Sequence, residues 1–168
     1  MDDIFSKPFS KYGLNDFRML RMVLSPSHWQ MCRLPVTLKW RAVKFEPANV
    51  NRVPEKAKGI YTFVVKPGIA NHPSCSYLMY VGKAEKQVLR LRFSQYFTEK
   101  AKGELSRRPH VTEMLLKWSD FLWFYYAEIA DTTMIKQVEE ELLAAYLPPT
   151  NRTYPSKIRR AVAKLFAH

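Results

Sequence analysis

The stretch GIYTFVV at residues 59–65, followed by YLMYVG at residues 77–82, decides the fold of this chain. Both segments are rich in β-branched and aromatic residues, a composition typical of strands. The residues between them include Pro, Gly, Asn and Ser, which favour turns, so the two segments predict a β-hairpin. An antiparallel hairpin brings the start of its first strand beside the end of its second strand. Tyr61 and Tyr80 are therefore expected to lie close together.

The composition narrows the class of protein. The 168 residues suit one compact domain with a core, and the formal net charge of +12 favours a polyanionic partner, nucleic acid before anionic membrane. No apolar run approaches the roughly 18–20 residues needed to cross a bilayer, and the N-terminus lacks the pattern of a signal peptide. The two cysteines predict neither a disulfide framework nor a metal site. We therefore expect a cytoplasmic protein without a membrane span.

The hydrophobic spacing after the hairpin predicts the remaining elements. They are a helix over 85–98, a basic loop over 100–109, a second helix over 111–118, a strand over 121–129, a helix over 134–146 and a helical tail from 156. The order β-β-α-α-β-α predicts an α/β fold, in which a small three-stranded antiparallel sheet is flanked by helices.

Three regions are predicted along the chain. Residues 1–52 form an N-terminal extension, with a helix capped by Asn15 that ends near Ser25 and a strand over 36–45. Residues 53–152 form the main domain, and residues 153–168 form a basic C-terminal helix.

Five sequence elements in a fixed order resemble the GIY-YIG nuclease family. They are the triplets GIY at 59–61 and YVG at 80–82, the Lys83-Ala84 pair, the segment LRLRFSQYF at 89–97 and the segment EEELLAAYLPPTN at 139–151. The resemblance spans about residues 53–151 and is closest in motif to the N-terminal nuclease module of the excision-repair endonuclease that incises damaged DNA. Eighteen residues separate Tyr61 from Tyr80, which is longer than the usual connection in the family.

The resemblance implies a hydrolase, an endonuclease that cuts DNA with Mg²⁺ or Mn²⁺ as its metal. Phosphodiester hydrolysis needs a base for the attacking water and positive charge around the phosphate. The family pattern implies that Tyr61 is the general base and Tyr80 its partner in orienting water. A phenol is a poor base at its usual pKa of about 10 unless nearby cations lower that pKa. Lys83 is expected to lie within reach of Tyr61 and to supply this charge.

The remaining site residues are carried over from the same resemblance. Arg92 and Tyr96, four residues apart on one helical face, would hold the scissile phosphate. Glu139 would bind the metal, and Asn151 would brace the site by hydrogen bonds. An alignment without a short insertion after the second triplet selects Arg90 instead of Arg92, so Arg90 stays an alternative.

A basic segment directly after the hairpin is expected to contact phosphates without reading sequence. Its nucleic-acid-binding residues are predicted to be Lys86, Arg90, Lys100, Lys102, Arg107 and Arg108.

Each of these residues, taken alone, also has a purely structural interpretation. A strand tyrosine is usually a packed aromatic, and a helical arginine or glutamate usually lies on a solvated face. The alternative function is a non-catalytic nucleic-acid-binding protein on the same fold. The sequence leaves open whether the protein is a monomer or a homodimer, and which DNA it would cut.

Overall fold

The computed structural model of the protein describes residues 20–69, 72 and 75–165. Its strands are β1 (Arg41–Lys44), β2 (Gly59–Val65), β3 (Tyr77–Ala84) and β4 (Leu122–Glu128). Its α-helices are α1 (Pro26–Met31), α2 (Leu89–Lys102), α3 (Pro109–Lys117), α4 (Ile135–Tyr146) and α5 (Ser156–Leu165). Short 3₁₀ turns lie at Pro47–Arg52, Gly103–Leu105, Ser119–Phe121 and Thr132–Met134. The β-β-α-α-β-α order from residue 59 onward is confirmed.

The sheet has four antiparallel strands in the order β1-β4-β2-β3, so the prediction of three strands is wrong. The additional strand is β1, which the sequence predicted but assigned to the N-terminal extension. It pairs with β4 from Arg41 opposite Tyr126 to Lys44 opposite Trp123. Burial explains why it joins the sheet, because Val43 and the following Phe45 are about 5% exposed and complete the core.

The first helix differs from its prediction. The predicted cap, Asn15, lies outside the described residues, and residues 20–25 are not helical. The helix α1 begins at Pro26 instead of ending before it. A proline fits the first helical turn because its missing N–H is not needed there.

The predicted basic loop over 100–109 begins later than expected. The helix α2 continues to Lys102 and ends where Gly103 adopts a φ of 53°. A positive φ is accessible to glycine at little cost, so this residue marks the helix end.

Helices cover both faces of the sheet, and each face has its own core. On one face Tyr61 and Phe63 of β2 pack with residues of α2 and α3, such as Phe93. On the other face Ile60 of β2 and Val81 of β3 pack with α4 and α5. Successive strand residues point to opposite faces, so neighbours in sequence enter different cores. Among the described residues, none of the helices has the length and apolar character needed to cross a membrane.

Two glycines allow neighbouring groups to approach the strands closely. At Gly82 an added Cβ would lie 2.5 Å from the Tyr61 hydroxyl oxygen, because the phenol packs directly on the glycine backbone. At Gly59, where φ is +155°, an added Cβ would lie 2.0 Å from the Ala127 carbonyl oxygen. These are the outer glycines of the two triplets, and both positions exclude a side chain for steric reasons.

We expect Gly82→Ala to lower the free energy of unfolding by about 2–3 kcal/mol, because the new methyl group overlaps a fully buried ring. Gly68→Ala is the matched control, since an added Cβ there meets nothing within 4 Å and only its φ of +70° is unfavourable. The control should cost about 1 kcal/mol. Urea unfolding of the three proteins measures both losses. Equal losses for the two variants would contradict the close contact between Tyr61 and Gly82.

Candidate active site

The predicted site residues approach the edge strand β3 from both faces of the sheet. Tyr61 is paired with Gly82, so the Tyr61 side chain lies on the same face as the missing side chain of that glycine. Lys83, the next residue along β3, points to the opposite face with its partner Ile60. The site residues therefore form a tyrosine–arginine group, consisting of Tyr61, Tyr80, Arg92 and Tyr96, and a lysine–glutamate group, consisting of Lys83 and Glu139.

Three members of the tyrosine–arginine group share a hydrogen-bond network. The Tyr61 and Tyr96 hydroxyl oxygens are 2.8 Å apart, and Nη2 of Arg92 donates to the Tyr61 oxygen at 3.1 Å. The Arg92 guanidinium also lies about 6 Å from the centres of both rings, within the range of a cation–π contact. Tyr61 is fully buried. The helical residues Arg92 and Tyr96 thus meet the first triplet at its tyrosine.

Arg90 is directed elsewhere, which separates the two arginine alternatives by geometry. Its Nε donates to the Val53 carbonyl at 2.7 Å, and its Nη2 donates to the Asn51 carbonyl at 3.3 Å. It therefore ties α2 to the segment that precedes β2. Only Arg92 of the pair contacts Tyr61.

Tyr80 is hydrogen-bonded to a different arginine, Arg108. Nη2 of Arg108 donates to the Tyr80 hydroxyl oxygen at 2.9 Å, and the guanidinium lies 5.9 Å from the Tyr80 ring centre and 5.7 Å from that of Tyr96. Tyr80 is only half-buried, unlike Tyr61. Each tyrosine of the two triplets is thus paired with one arginine.

Sequence analysis gave Arg108 only a phosphate contact and missed its place beside Tyr80. The available signal is Pro109, which favours the first position of a helix and so places residue 108 just before α3. The direction of the guanidinium follows from contacts that the pattern does not contain. Ser106 accepts a hydrogen bond from the Arg108 backbone N–H at 2.8 Å and donates its own to Glu99 of α2.

Burial opposes ionisation of all three phenols. It raises the pKa of Tyr61 to about 12, although Arg92 counteracts part of this effect, and it also raises the pKa values of Tyr80 and Tyr96. The expectation that Lys83 lowers the pKa of Tyr61 is wrong, because Lys83 points to the opposite face of the sheet. The cation beside Tyr61 is Arg92, and its effect is smaller than that of burial.

Lys83 lies between two carboxylates. Its Nζ is 3.2 Å from Glu139 of α4 and 3.3 Å from Glu85. Burial raises the pKa of the Glu139 carboxyl, while the attraction of Lys83 opposes that rise. Burial alone would lower the pKa of Lys83, but its attraction to Glu139 and its hydrogen bonds to both carboxylates raise that pKa above its usual value. Lys83 is therefore a cation, and its contact with Glu139 is partly shielded from solvent.

These carboxylates match the donors that a hard divalent cation takes. Mg²⁺ in proteins is commonly held by one or two carboxylates, together with water and substrate phosphates. Within the part of the chain that the structure describes, no three His, Cys, Asp or Glu side chains converge into a complete metal site. Glu139, with Glu85 on the same lysine, therefore fits a site that a phosphate would complete.

Asn151 binds the outer edge of β3. Its side-chain oxygen accepts from the Val81 N–H at 2.9 Å, and its side-chain N–H₂ donates to the Val81 carbonyl at 2.8 Å. The preceding Thr150 donates its backbone N–H to the Met79 carbonyl at 3.0 Å. Asn151 thus satisfies both outward-facing backbone groups of Val81, the middle residue of the second triplet.

The other residues predicted to bind nucleic acid differ in exposure. Lys86, Lys102 and Arg107 are exposed. Lys100 is half-buried, and its Nζ donates to the Ser119 hydroxyl oxygen at 2.7 Å. Lys102 also pairs with Glu99 at 3.3 Å. Lys100 and Lys102 are thus already used within the fold, whereas Lys86 and Arg107 are exposed to meet a phosphate backbone.

Comparison of the chain with protein-family models, curated proteins and solved structures finds no match. The argument for a function therefore depends on the two residue groups and on the strand between them. The structure brings Tyr61, Arg92 and Tyr96 into direct contact, and it brings Lys83 and Glu139 into direct contact on the other face.

Replacing Asn151 with Ala should lower the free energy of unfolding by about 1–3 kcal/mol, because it leaves two backbone groups of β3 without partners. The Val81 amide should lose protection from hydrogen exchange more than the amides of β2, which lies inside the sheet. Asn151→Asp is the matched control, since the new carboxylate still accepts from the Val81 N–H but has no N–H to donate to the Val81 carbonyl. Unchanged exchange at Val81 in the alanine variant would contradict the bracing contact.

Replacing Ser106 with Ala should destabilise the protein by about 2 kcal/mol at pH 7, because the hydroxyl donates to an ionised carboxylate. The hydrogen bond from Ser106 lowers the pKa of Glu99, so its stabilising effect is present above the usual carboxyl pKa and is lost as pH falls through the lowered value. The difference from wild type should therefore shrink below about pH 4. Ser119→Ala is the control, because the Ser119 hydroxyl accepts a hydrogen bond from the Lys100 ammonium instead of donating one to a carboxylate. Urea unfolding at a series of pH values measures both, and a loss at Ser106 that does not depend on pH would contradict the role of Glu99.

Proposed function

We propose that this protein is a Mg²⁺- or Mn²⁺-dependent endonuclease of the GIY-YIG type that hydrolyses DNA phosphodiester bonds. The observation that carries the proposal is the hydrogen bond from Arg92 to Tyr61, at 3.1 Å. It joins the first triplet to the arginine that the family pattern assigns to the phosphate, across 31 residues of sequence. The second triplet supplies Tyr80 to the same group, and the residue after it, Lys83, holds Glu139.

In the proposed reaction the scissile phosphate lies against the outer edge of β3. Arg92 approaches this edge from one face, and Lys83 with Glu139 approaches it from the other. A guanidinium matches two phosphate oxygens at once, so Arg92 would bind the phosphate and stabilise the charge that develops on it. The exposed Lys86 and Arg107, with the net charge of +12, would add contacts that do not depend on DNA sequence.

The proposal assigns the two tyrosines roles that differ from those implied by the family resemblance, in which Tyr61 is the base and Tyr80 orients water. Tyr61 is fully buried and its oxygen is bonded to Tyr96 and Arg92, so its role in the proposal is to position Arg92. Tyr80 is half-buried, so water can approach it more readily. It would orient the attacking water and, once ionised to the phenolate, receive its proton; the Arg108 guanidinium beside it offsets part of the rise in the Tyr80 pKa that burial causes.

A bound divalent cation would supply positive charge at the phosphate and at the leaving oxygen. Glu139 would be its protein ligand, with Glu85 close by. Lys83 holds both carboxylates in place through its ammonium group. When a phosphate enters, the same ammonium can move to a phosphate oxygen and leave Glu139 free to bind the cation.

A second candidate is a protein that binds nucleic acid without cutting it. The raised pKa values of all three phenols and the closed ion pair between Lys83 and Glu139 are what favour it. In that case the same basic residues would bind DNA with a steep dependence on salt, and no divalent cation would produce cleavage.

The test is the nicking of supercoiled plasmid in Mg²⁺ or Mn²⁺ by wild type, Glu139→Gln and Glu140→Gln. We expect the change at Glu139 to lower the rate at least ~100-fold, because it removes the charge of the proposed metal ligand. Glu140 is the matched control, since it is adjacent and of the same charge, its side chain is 45% exposed and its nearest cation is Lys136, 4.0 Å away. Its variant should cut within about twofold of wild type, a difference below 0.5 kcal/mol.

Chelation of the divalent cation should abolish cutting by wild type. The proposal is overturned if wild type cuts no DNA with either cation, or if Glu139→Gln cuts as fast as Glu140→Gln. The first of these results, together with retained DNA binding, would establish the second candidate.

A further inference from the structure

A cleft of about 310 Å³ runs along α2 on the face that holds the tyrosine–arginine group. Its lining residues are Arg92, Gln95, Tyr96, Thr98, Glu99, Lys102 and Arg108. Three of them are cations and one is a carboxylate. The carboxylate of Glu99 already accepts from Ser106 and pairs with Lys102 at 3.3 Å. The charge that the cleft offers to a ligand is therefore positive.

Arg108 is held in the wall of this cleft by the surrounding fold. Its backbone N–H donates to Ser106, which Glu99 fixes in turn, and its guanidinium lies over the rings of Tyr80 and Tyr96. Such fixed placement differs from that of a solvated surface arginine. The neighbouring Arg107, in contrast, is exposed.

Neither arginine of the cleft forms a salt bridge to a carboxylate within the described chain. Arg92 bonds to neutral oxygens of Tyr61 and Gln95, and its Nε–H is buried without an acceptor. Arg108 bonds to neutral phenols, and the Glu99 carboxylate near it is already engaged by Ser106 and Lys102. A partly buried cation that has no ion-pair partner is unfavourable. An anion that enters the cleft would supply that partner to both guanidinium groups.

Arg152 adds positive charge near Arg108. Burial lowers the pKa of His110, and the charges of Arg152 and Arg108 lower it further, so both arginines lie near the His110 ring. Arg152 comes from the segment after α4 and Arg108 from the segment before α3. Two arginines from separate elements thus approach the start of α3.

We propose that this cleft is a second phosphate-binding subsite, in which Arg108 holds a phosphate group next to the scissile one and Arg92 lies between the two phosphates. A guanidinium pair presents forked N–H donors that match phosphate oxygens, which makes phosphate the anion best suited to the cleft. The ligand is either an internal backbone phosphate or the terminal phosphate of a nucleic-acid strand. The inference rests on the proposed function only for the identity of the ligand as nucleic acid. It assigns Arg108 to direct substrate binding, beyond its contact with Tyr80.

The test measures binding in the absence of divalent cations, so that no cleavage takes place. The probes are inorganic phosphate, a 5′-phosphorylated dinucleotide and the same dinucleotide without its terminal phosphate. Side-chain N–H resonances of arginine, followed by NMR, should move for Arg92 and Arg108 in wild type when a phosphate-bearing probe is added. A terminal phosphate is the ligand if only the phosphorylated dinucleotide moves them, and an internal phosphate is the ligand if both dinucleotides do.

The variants are Arg108→Gln, Arg108→Lys and the control Arg160→Gln, which removes the same charge at an exposed position of α5, on the other face of the sheet. Arg108→Gln should weaken binding of the recognised dinucleotide about tenfold, Arg108→Lys should recover part of it, and Arg160→Gln should stay within about twofold. If Arg108→Gln fails to fold by circular dichroism, the wild-type resonances still decide the question. Unmoved resonances of Arg92 and Arg108, or equal binding by the Arg108→Gln and Arg160→Gln variants, would overturn the subsite.

The subsite and the proposed function can fail separately. A wild-type protein that shows the resonance shifts but cuts no DNA retains the subsite and loses the endonuclease. A wild-type protein that cuts DNA, with Arg108→Gln and Arg160→Gln equal in both binding and rate, retains the endonuclease and loses the subsite.

Discussion

The contact between the Tyr61 phenol and the backbone of Gly82 is the constraint on which the rest of the site depends. Since residue 82 has no side chain, the ring packs onto β3, and its hydroxyl lies at the point where Tyr96 and Arg92 meet it. A methyl group at this position would occupy the space of that hydroxyl. The glycine of the second triplet thus determines where the tyrosine of the first triplet can lie, and through it where Arg92 is held.

The edge strand β3 separates two chemically different environments. On one face, phenols and guanidinium groups form a network in which burial raises the pKa values of the phenols. On the other face, Lys83 is charged and bound to two carboxylates. A substrate at the outer edge of β3 would meet cations from one side and carboxylates from the other. This arrangement suits a phosphate group that needs both positive charge and a metal ligand.

Much of this fold could be predicted from the sequence. Residues 59–65 and 77–82 gave the hairpin, and hydrophobic periodicity gave α2, α3, α4, α5 and β4 within a few residues. The pairing of β1 could not be predicted, because alternation identifies a strand but not its partner. The side of the sheet on which Lys83 lies could have been predicted, since a residue three places after Tyr80 on a strand points to the other face. The expectation that Lys83 assists Tyr61 relied on its closeness to Tyr80 in sequence and overlooked this alternation.

The place of Arg108 could not be read from any pattern. It depends on a serine hydroxyl that connects the segment before α3 to Glu99, and this contact exists only in the folded chain. The pKa values of the phenols could not be predicted from the sequence either, because they depend on burial. A strand tyrosine such as Tyr61 can be buried both in an active site and in a structural core. Only the depth of each side chain in the fold distinguishes the half-buried Tyr80 from the fully buried Tyr61.

The hydrogen bonds from Asn151 and Thr150 to β3 limit which molecules can pair with the edge of the sheet. An open edge strand offers unpaired N–H and C=O groups that can recruit a strand from another chain. Here the segment after α4 occupies that edge at Val81 and Met79, and the opposite edge, β1, is only four residues long and carries Arg41 and Lys44. Both ends of the sheet are thereby poor templates for strand addition. The edge that carries the candidate site is closed to peptide backbones at these positions, while its side chains stay available to a partner of another kind.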